Sequence, residues 1–233
     1  MGLNRRRFLQ MAAAAALAGT LPPPARADGP KGPVVDADEA LRRLLEGNQR
    51  YVEGRKTGGS GRGEPRRLEV AEGQAPFATI LACADSRVAP EILMDAGLGD
   101  LFVVRVAGNT ASPSNYAVMG SLEYALAVLK VPLLMVLGHS GCGAVEAAVE
   151  AVRRKTEFPG AIETLVQTIA AGVRPVAGKP GDVLQEAIEA NVRATARRLA
   201  GAEPILAAGV AEGRLKIVGA SYDLHDGLVR LLT

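Results

Sequence analysis

Two stretches decide how this chain folds: Phe77-Ala-Thr-Ile-Leu-Ala-Cys-Ala-Asp-Ser-Arg87 and Leu133-Leu-Met-Val-Leu-Gly-His-Ser-Gly-Cys-Gly143. Each opens on a short unbroken apolar run, Phe77 to Ala82 and Leu133 to Leu137. Such runs are short for a helix and lack the alternation of a half-exposed strand. They read as strands buried on both faces, as in parallel sheets covered by helices. Each run then breaks into a turn of small and polar residues. In open sheets of this kind, sites form beyond the carboxyl ends of the strands. These two ends hold both cysteines of the chain and one of its two histidines.

Outward from them, apolar runs and helical stripes alternate. Asp36-Ala-Asp-Glu39 has the form of a helix start. Leu41, Leu44, Leu45 and Tyr51 give one helical face that ends near Gly54. Residues 55–67, with five Arg/Lys and four Gly, read as an exposed loop. Leu101 to Val106 is a further strand, followed by a helix from about Ser114 to Leu129. Ala144 to Val152, Ile162 to Ala171 and Val183 to Leu199 read as helices, and Leu215 to Ala220 as a last strand. Strands alternating with helices predict a single-domain α/β fold around a mostly parallel central sheet flanked by helices.

A length of 233 residues, 48% hydrophobic and 22% charged, is ordinary for one globular domain. With aromatics at 3% and no Trp, the core rests on Ala, Val, Leu and Ile. The formal charge of +2 misleads, because four of the 27 basic residues lie in residues 1–27, which hold no acid. The remaining 23 face all 25 acids, so the body is weakly acidic and offers nucleic acid no electrostatic footing. Asn4-Arg5-Arg6-Arg7-Phe8-Leu9-Gln10 is a twin-arginine pattern. An apolar run from Met11 to Leu21 follows, then Ala25-Arg26-Ala27, an A-x-A cleavage signal. The run is shorter than the roughly 20 residues a membrane span needs. Residues 1–27 are therefore expected to be a twin-arginine signal peptide and 28–233 the exported, periplasmic or secreted domain, with no stable membrane insertion after cleavage.

Cys83, His139 and Cys142 form a Cys₂His set. Thiolate and imidazole suit zinc, and three protein ligands leave the fourth position open, the pattern of catalytic zinc. Gly141 and Gly143 let the backbone turn around the ligands. Asp85 and Arg87, two apart, can form a charge-assisted bidentate pair. Asp85 either binds the metal or, held by Arg87, accepts a hydrogen bond from metal-bound water. Simpler uses exist. A disulfide between the two cysteines suits an exported chain, but leaves His139 and the Asp85–Arg87 pair without a task. A nucleotide loop at Gly138–Gly143 lacks both the G-x-G-x-x-G spacing and a P-loop Lys. Asp85 and Arg87 as a merely structural pair would be common elsewhere, though not beside a metal ligand.

Cys83-Ala-Asp-Ser-Arg-Val-Ala-Pro-Glu91 and Gly138-His-Ser-Gly-Cys-Gly-Ala-Val145 resemble the two signature segments of the β-class carbonic anhydrases. Further stretches are similar in order: Gly47-Asn-Gln-Arg-Tyr51, Phe102-Val-Val-Arg-Val-Ala-Gly-Asn109, Ser121-Leu-Glu-Tyr124 and Tyr222-Asp-Leu-His-Asp-Gly227. The resemblance implies one zinc per subunit on Cys83, His139 and Cys142. Asp85 would be paired with Arg87 in an open form, or bound to zinc as a fourth ligand in a closed one. It implies reversible hydration of carbon dioxide to bicarbonate and a proton by zinc-bound hydroxide, and a homodimer or multiple of dimers with the site at the subunit interface. Two thiolates on zinc predict activity that rises toward alkaline pH. Some members of the family have a closed form stabilised by bicarbonate near a Trp, an Arg and a Tyr. Arg105 and Tyr222 match the last two, but Ile80 stands at the Trp position, which favours an always-open site. Arg105 and Asn109 are candidates to shape the site mouth, and His225 is expected to be a satisfied structural histidine rather than a proton relay. Related folds hydrolyse carbonyl sulfide or carbon disulfide with the same ligands. A metal or bicarbonate sensor without turnover is the non-enzymatic alternative.

Overall fold

A computed structural model describes residues 35–55 and 61–232. The expected signal peptide, 1–27, and the expected lead-in, 28–34, lie outside the described residues. Helix α1 (Ala37–Val52) opens the fold, and Asp36 caps it by accepting the Glu39 N–H at 2.8 Å. Only half of the expected capping box forms, because the Glu39 carboxylate turns to Arg42 and Arg43 instead. Part of the expected loop at 55–67 is helical: α2 (Glu64–Val70) begins with Pro65 in its first turn, where a missing N–H costs nothing. Arg62 and Arg66 fasten this region to the carbonyls of Glu91, Ala96 and Leu98.

The sheet has five strands in the order β2-β1-β3-β4-β5: β1 (Ala78–Ala82), β2 (Leu101–Arg105), β3 (Leu133–His139), β4 (Lys216–Tyr222) and β5 (Val229–Leu232). The first four pair in parallel and β5 returns antiparallel to β4. The sheet is thus mostly parallel, as the apolar runs predicted. The predicted last strand at Leu215–Ala220 is not the last, since β5 follows it. β1 and β3 are buried along their whole length. Alternate side chains feed opposite layers, as the period of two requires. Ile80, Ala82, Met135 and Leu137 pack with Ala40 and Leu44 of α1. Leu81, Leu134 and Val136 pack against α4 (Tyr116–Ala127), α7 (Leu184–Ala200) and α8 (Ile205–Ala211). A short α3 (Pro90–Leu93) follows the β1 turn, and α5 (Gly143–Arg154) with α6 (Ala161–Ala177) forms a third apolar layer with α7.

The end of α6 departs from the expected Ala171. Pro175 ordinarily ends a helix before it, yet Val173 and Ala177 are fully buried and carry the helix onward. Gly138, the residue before His139, is where α7 meets the sheet. A Cβ there would lie 2.6 Å from a methyl of Val192. The glycine lets α7 press directly on the strand that carries the histidine.

Candidate metal centre

β1 and β3 are neighbours, with Ala82 beside Leu137. Their carboxyl ends therefore open side by side, and Cys83, His139 and Cys142 converge. Their sulfur and nitrogen atoms all lie within 4.8 Å of one another, and all three residues are buried. Both cysteines are free thiols, which removes the disulfide reading.

The donors are prepared by their surroundings. Nδ1 of His139 lies 3.0 Å from the Ser140 carbonyl and donates to it, so the lone pair is on Nε2. That Nε2 is buried and has no hydrogen-bond partner among the described residues. A buried, unsatisfied nitrogen facing two sulfurs is costly without a ligand. The Gly108 N–H donates to the Cys83 sulfur at 3.3 Å. Gly108 sits at φ 71°, a conformation that favours glycine, and a Cβ there would come within 2.5 Å of the Ile169 terminal methyl. The Cys142 sulfur lies at the amino end of α5, where the Ala144 and Val145 amides favour the thiolate. Gly141 takes the left-handed conformation at φ 64°, whereas Gly143 is simply the first residue of α5.

The Cys142 thiol donates to Cys83, which pulls Cys83 well below the usual thiol range and pushes Cys142 far above it. Two thiolates this close in a buried site repel each other; a dication removes that penalty. Geometry, tautomer and charge all fit a zinc-type ion.

Asp85 and Arg87 pair as expected. The Arg87 Nε and Nη2 donate to Asp85 Oδ1 and Oδ2 at 2.9 and 2.7 Å, and the Arg87 N–H adds 2.9 Å to Oδ1. The guanidinium holds the Asp85 carboxyl far below the usual carboxylate range, against a smaller opposing effect of burial. Asp85 Oδ2 lies 3.8 Å from His139 Nε2, so the carboxylate borders the donor cluster while committed to Arg87. Arg105 lies against the backbone: its Nε and Nη2 donate to the carbonyls of Cys83 and Asp85 at 3.1 and 2.7 Å. Asn109 is buried, with an unpartnered amide nitrogen. The Tyr222 hydroxyl is hydrogen-bonded to Tyr51, and burial pushes it up to about 12. Ile80 is fully enclosed in the core. His225, expected to be a satisfied structural histidine, lies at the surface. Its side chain is 93% exposed on the turn between β4 and β5, with Nδ1 3.5 Å from Asp223. The spacing of the motifs did not disclose the Gly108 amide or the Ser140 carbonyl. For Gly108, the one available signal was a glycine just after the strand beside β1.

A helix-flanked, mostly parallel sheet carrying a thiol–imidazole cluster able to hold a metal, with an adjoining Asp–Arg pair, defines an α/β protein with a candidate metal centre. A family model described as carbonic anhydrase matches residues 78–229. Carbonic anhydrase 2 of Mycobacterium tuberculosis is 42% identical over 190 residues, covering 81% of this chain and 89% of that protein. The carbonic anhydrase of Mycolicibacterium smegmatis is 41% identical, covering 82% and 91%. Among solved structures, the Coccomyxa β-carbonic anhydrase in complex with acetazolamide superposes with a TM-score of 0.64 at 30% identity, covering 82% of this chain and 86% of that one. The chain belongs to the β-class carbonic anhydrase family.

Proposed function

We propose that this protein is a zinc-dependent carbonic anhydrase that interconverts carbon dioxide and bicarbonate. The observation that carries this is the orphaned Nε2 of His139, set among two thiols and bordered by a carboxylate held by Arg87. Cys83, His139 and Cys142 would hold the ion. Bound zinc supplies the Lewis acidity that makes a water nucleophilic near neutral pH, a general property for which carbonic anhydrase is itself a standard example. Asp85 accepts a hydrogen bond from the attacking water and so directs a lone pair at the carbon. Arg87 holds the Asp85 carboxylate in place and draws it away from the metal, which disfavours Asp85 as a fourth ligand. Arg105 fixes the turn on which Cys83 and Asp85 both ride. With Ile80 at the Trp position, Arg105 on backbone carbonyls and Tyr222 on Tyr51, the bicarbonate-stabilised closed form has little support.

The reading extends to assembly and location. A groove of about 690 Å³ lies between Thr110, Tyr116, Ile162 and Thr168, and Tyr116 stands 82% exposed at its rim. Tyr124 and Val128 extend this exposed apolar face along α4. Such a face supports a homodimer or a multiple of dimers. No helix among the described residues is long and apolar enough to cross a membrane. The twin-arginine pattern and Ala25-Arg26-Ala27 support export of residues 28–233 to the periplasm or beyond, which amino-terminal sequencing of the exported protein tests. Substrate choice is tested by assaying carbon dioxide and carbonyl sulfide side by side on protein of measured zinc content. Hydration of carbon dioxide should dominate; hydrolysis of carbonyl sulfide alone would overturn the assignment.

A further inference from the structure

The turn between β4 and β5 reaches the metal cradle through a residue that the reaction itself does not use. Ser140 follows His139 and does two things. Its carbonyl accepts the Nδ1–H of His139 at 3.0 Å and so fixes the tautomer and plane of the ring. Its own backbone and hydroxyl are held from the neighbouring turn. The Ser140 N–H donates to the Tyr222 carbonyl at 2.9 Å, and the Leu224 N–H donates to the Ser140 Oγ at 2.9 Å. The residue whose carbonyl orients the imidazole is therefore held through both its N–H and its hydroxyl.

The turn is itself rigidly closed. The Asp223 N–H donates to the Leu228 carbonyl and the Gly227 N–H to the Asp223 carbonyl, each at 3.0 Å. The Asp223 carboxylate accepts the His225 N–H at 2.7 Å. Asn48, buried in α1, closes the other end. Its amide donates to the Gly227 carbonyl at 2.9 Å and to the Leu93 carbonyl at 3.1 Å, and its oxygen accepts the Val229 N–H at 2.8 Å. A continuous set of hydrogen bonds thus joins α1, the turn, Ser140 and His139. Three side chains take part in it, those of Asn48, Asp223 and Ser140, and of these the Ser140 hydroxyl belongs to the residue next to His139.

We infer that Ser140 is a positioning residue for the metal, its hydroxyl fastening the His139 peptide to the Leu224 amide so that Nε2 is aimed at the two sulfurs before the ion arrives. The inference rests on the zinc-site reading above. A residue one step behind a metal ligand commonly changes metal affinity by about 10- to 100-fold when its bond is lost.

The test measures zinc affinity by chelator competition in the full chain, for wild type, Ser140→Ala and Ser140→Thr. Thermal unfolding of the metal-free proteins and visible spectra of the cobalt-loaded ones accompany it. Ser140→Ala should bind zinc about tenfold more weakly, with altered cobalt bands. Ser140→Thr, which keeps an acceptor oxygen, should restore both. A general loss of fold would lower the metal-free melting temperature of both variants and would not be rescued by Thr; that pattern overturns the inference. So does equal zinc affinity in wild type and Ser140→Ala, which leaves the zinc reading intact. A wild type that binds no zinc overturns both.

Discussion

The two turns that meet at the metal are built in opposite ways. The β3 turn, His139 to Gly143, is held by shape, backbone and one hydroxyl: Val192 presses on Gly138, β4 continues the ladder to Tyr222, the Leu224 N–H donates to Ser140 Oγ, and α5 begins at the sulfur of Cys142. Its histidine is fully buried. The β1 turn, Cys83 to Arg87, is held by guanidinium groups, with Arg105 on two carbonyls and Arg87 on the Asp85 carboxylate. Its Arg87 side chain is 55% exposed and its Asp85 18%. The rigid turn supplies two of the three metal donors. The charged turn supplies the third together with the one acid placed to act on a nucleophile. The metal is thus anchored where the packing is tightest, and the adjustable group is kept where a charge can be solvated.

Substitution of either donor on the rigid turn should have the largest effect. His139→Ala or Cys142→Ala should lose bound zinc and fall to background turnover together, read by metal analysis and carbon dioxide hydration on the same sample. Retained stoichiometric zinc in both variants would dissolve the contrast, because the rigid turn would then not be the anchor. Gly138→Ala comes next. The added methyl collides with Val192, which should cost about 1–3 kcal/mol in denaturant unfolding and lower zinc occupancy with it.

Arg105→Ala releases the charged turn without touching a donor atom. Turnover should drop about tenfold while zinc stays bound, in line with the loss expected for a group one step behind the site. A variant that loses zinc as completely as His139→Ala would mean the two turns share the anchoring equally.

The smallest effects concern pH. Pairing with Arg87 depresses the Asp85 carboxyl, so it is ionised throughout the neutral and alkaline range. Any stability from the pair is present above the ordinary carboxylate range and is lost as pH falls through and below it. Arg87→Ala returns the carboxyl toward about 3.9, still well below neutrality. Activity should therefore rise from about pH 6 to about pH 9 on the ionisation of the activated water, and Arg87→Ala should lower the plateau without moving the midpoint. A midpoint displaced by a full unit would place Asp85, rather than the water, in control of the profile.

The parts of this design that depend on residue type and order were visible in the chain. The fully apolar runs of β1 and β3, the thiols and imidazole at their ends and the cap at Asp36 all declare themselves locally. What was hidden depends on residues far apart meeting in space. Gly108 reaches Cys83 across 25 positions and Leu224 reaches Ser140 across 84. β5 was missed because Val229-Arg-Leu-Leu is short and half-exposed at the sheet edge, where periodicity carries little weight. α2 was hidden by a Gly- and Arg-rich composition, and the last turn of α6 by Pro175, whose usual effect was outweighed by burial of Val173 and Ala177.

The most direct test is stopped-flow hydration of carbon dioxide with metal analysis, on wild type and Asp85→Ala. Both proteins should carry one zinc per chain. Only wild type should turn over at full rate, with Asp85→Ala slower by about a hundredfold or more, the scale of a positioned acid–base group. Full zinc with no turnover in wild type, or undiminished turnover in Asp85→Ala, would contradict the division of labour between the two turns.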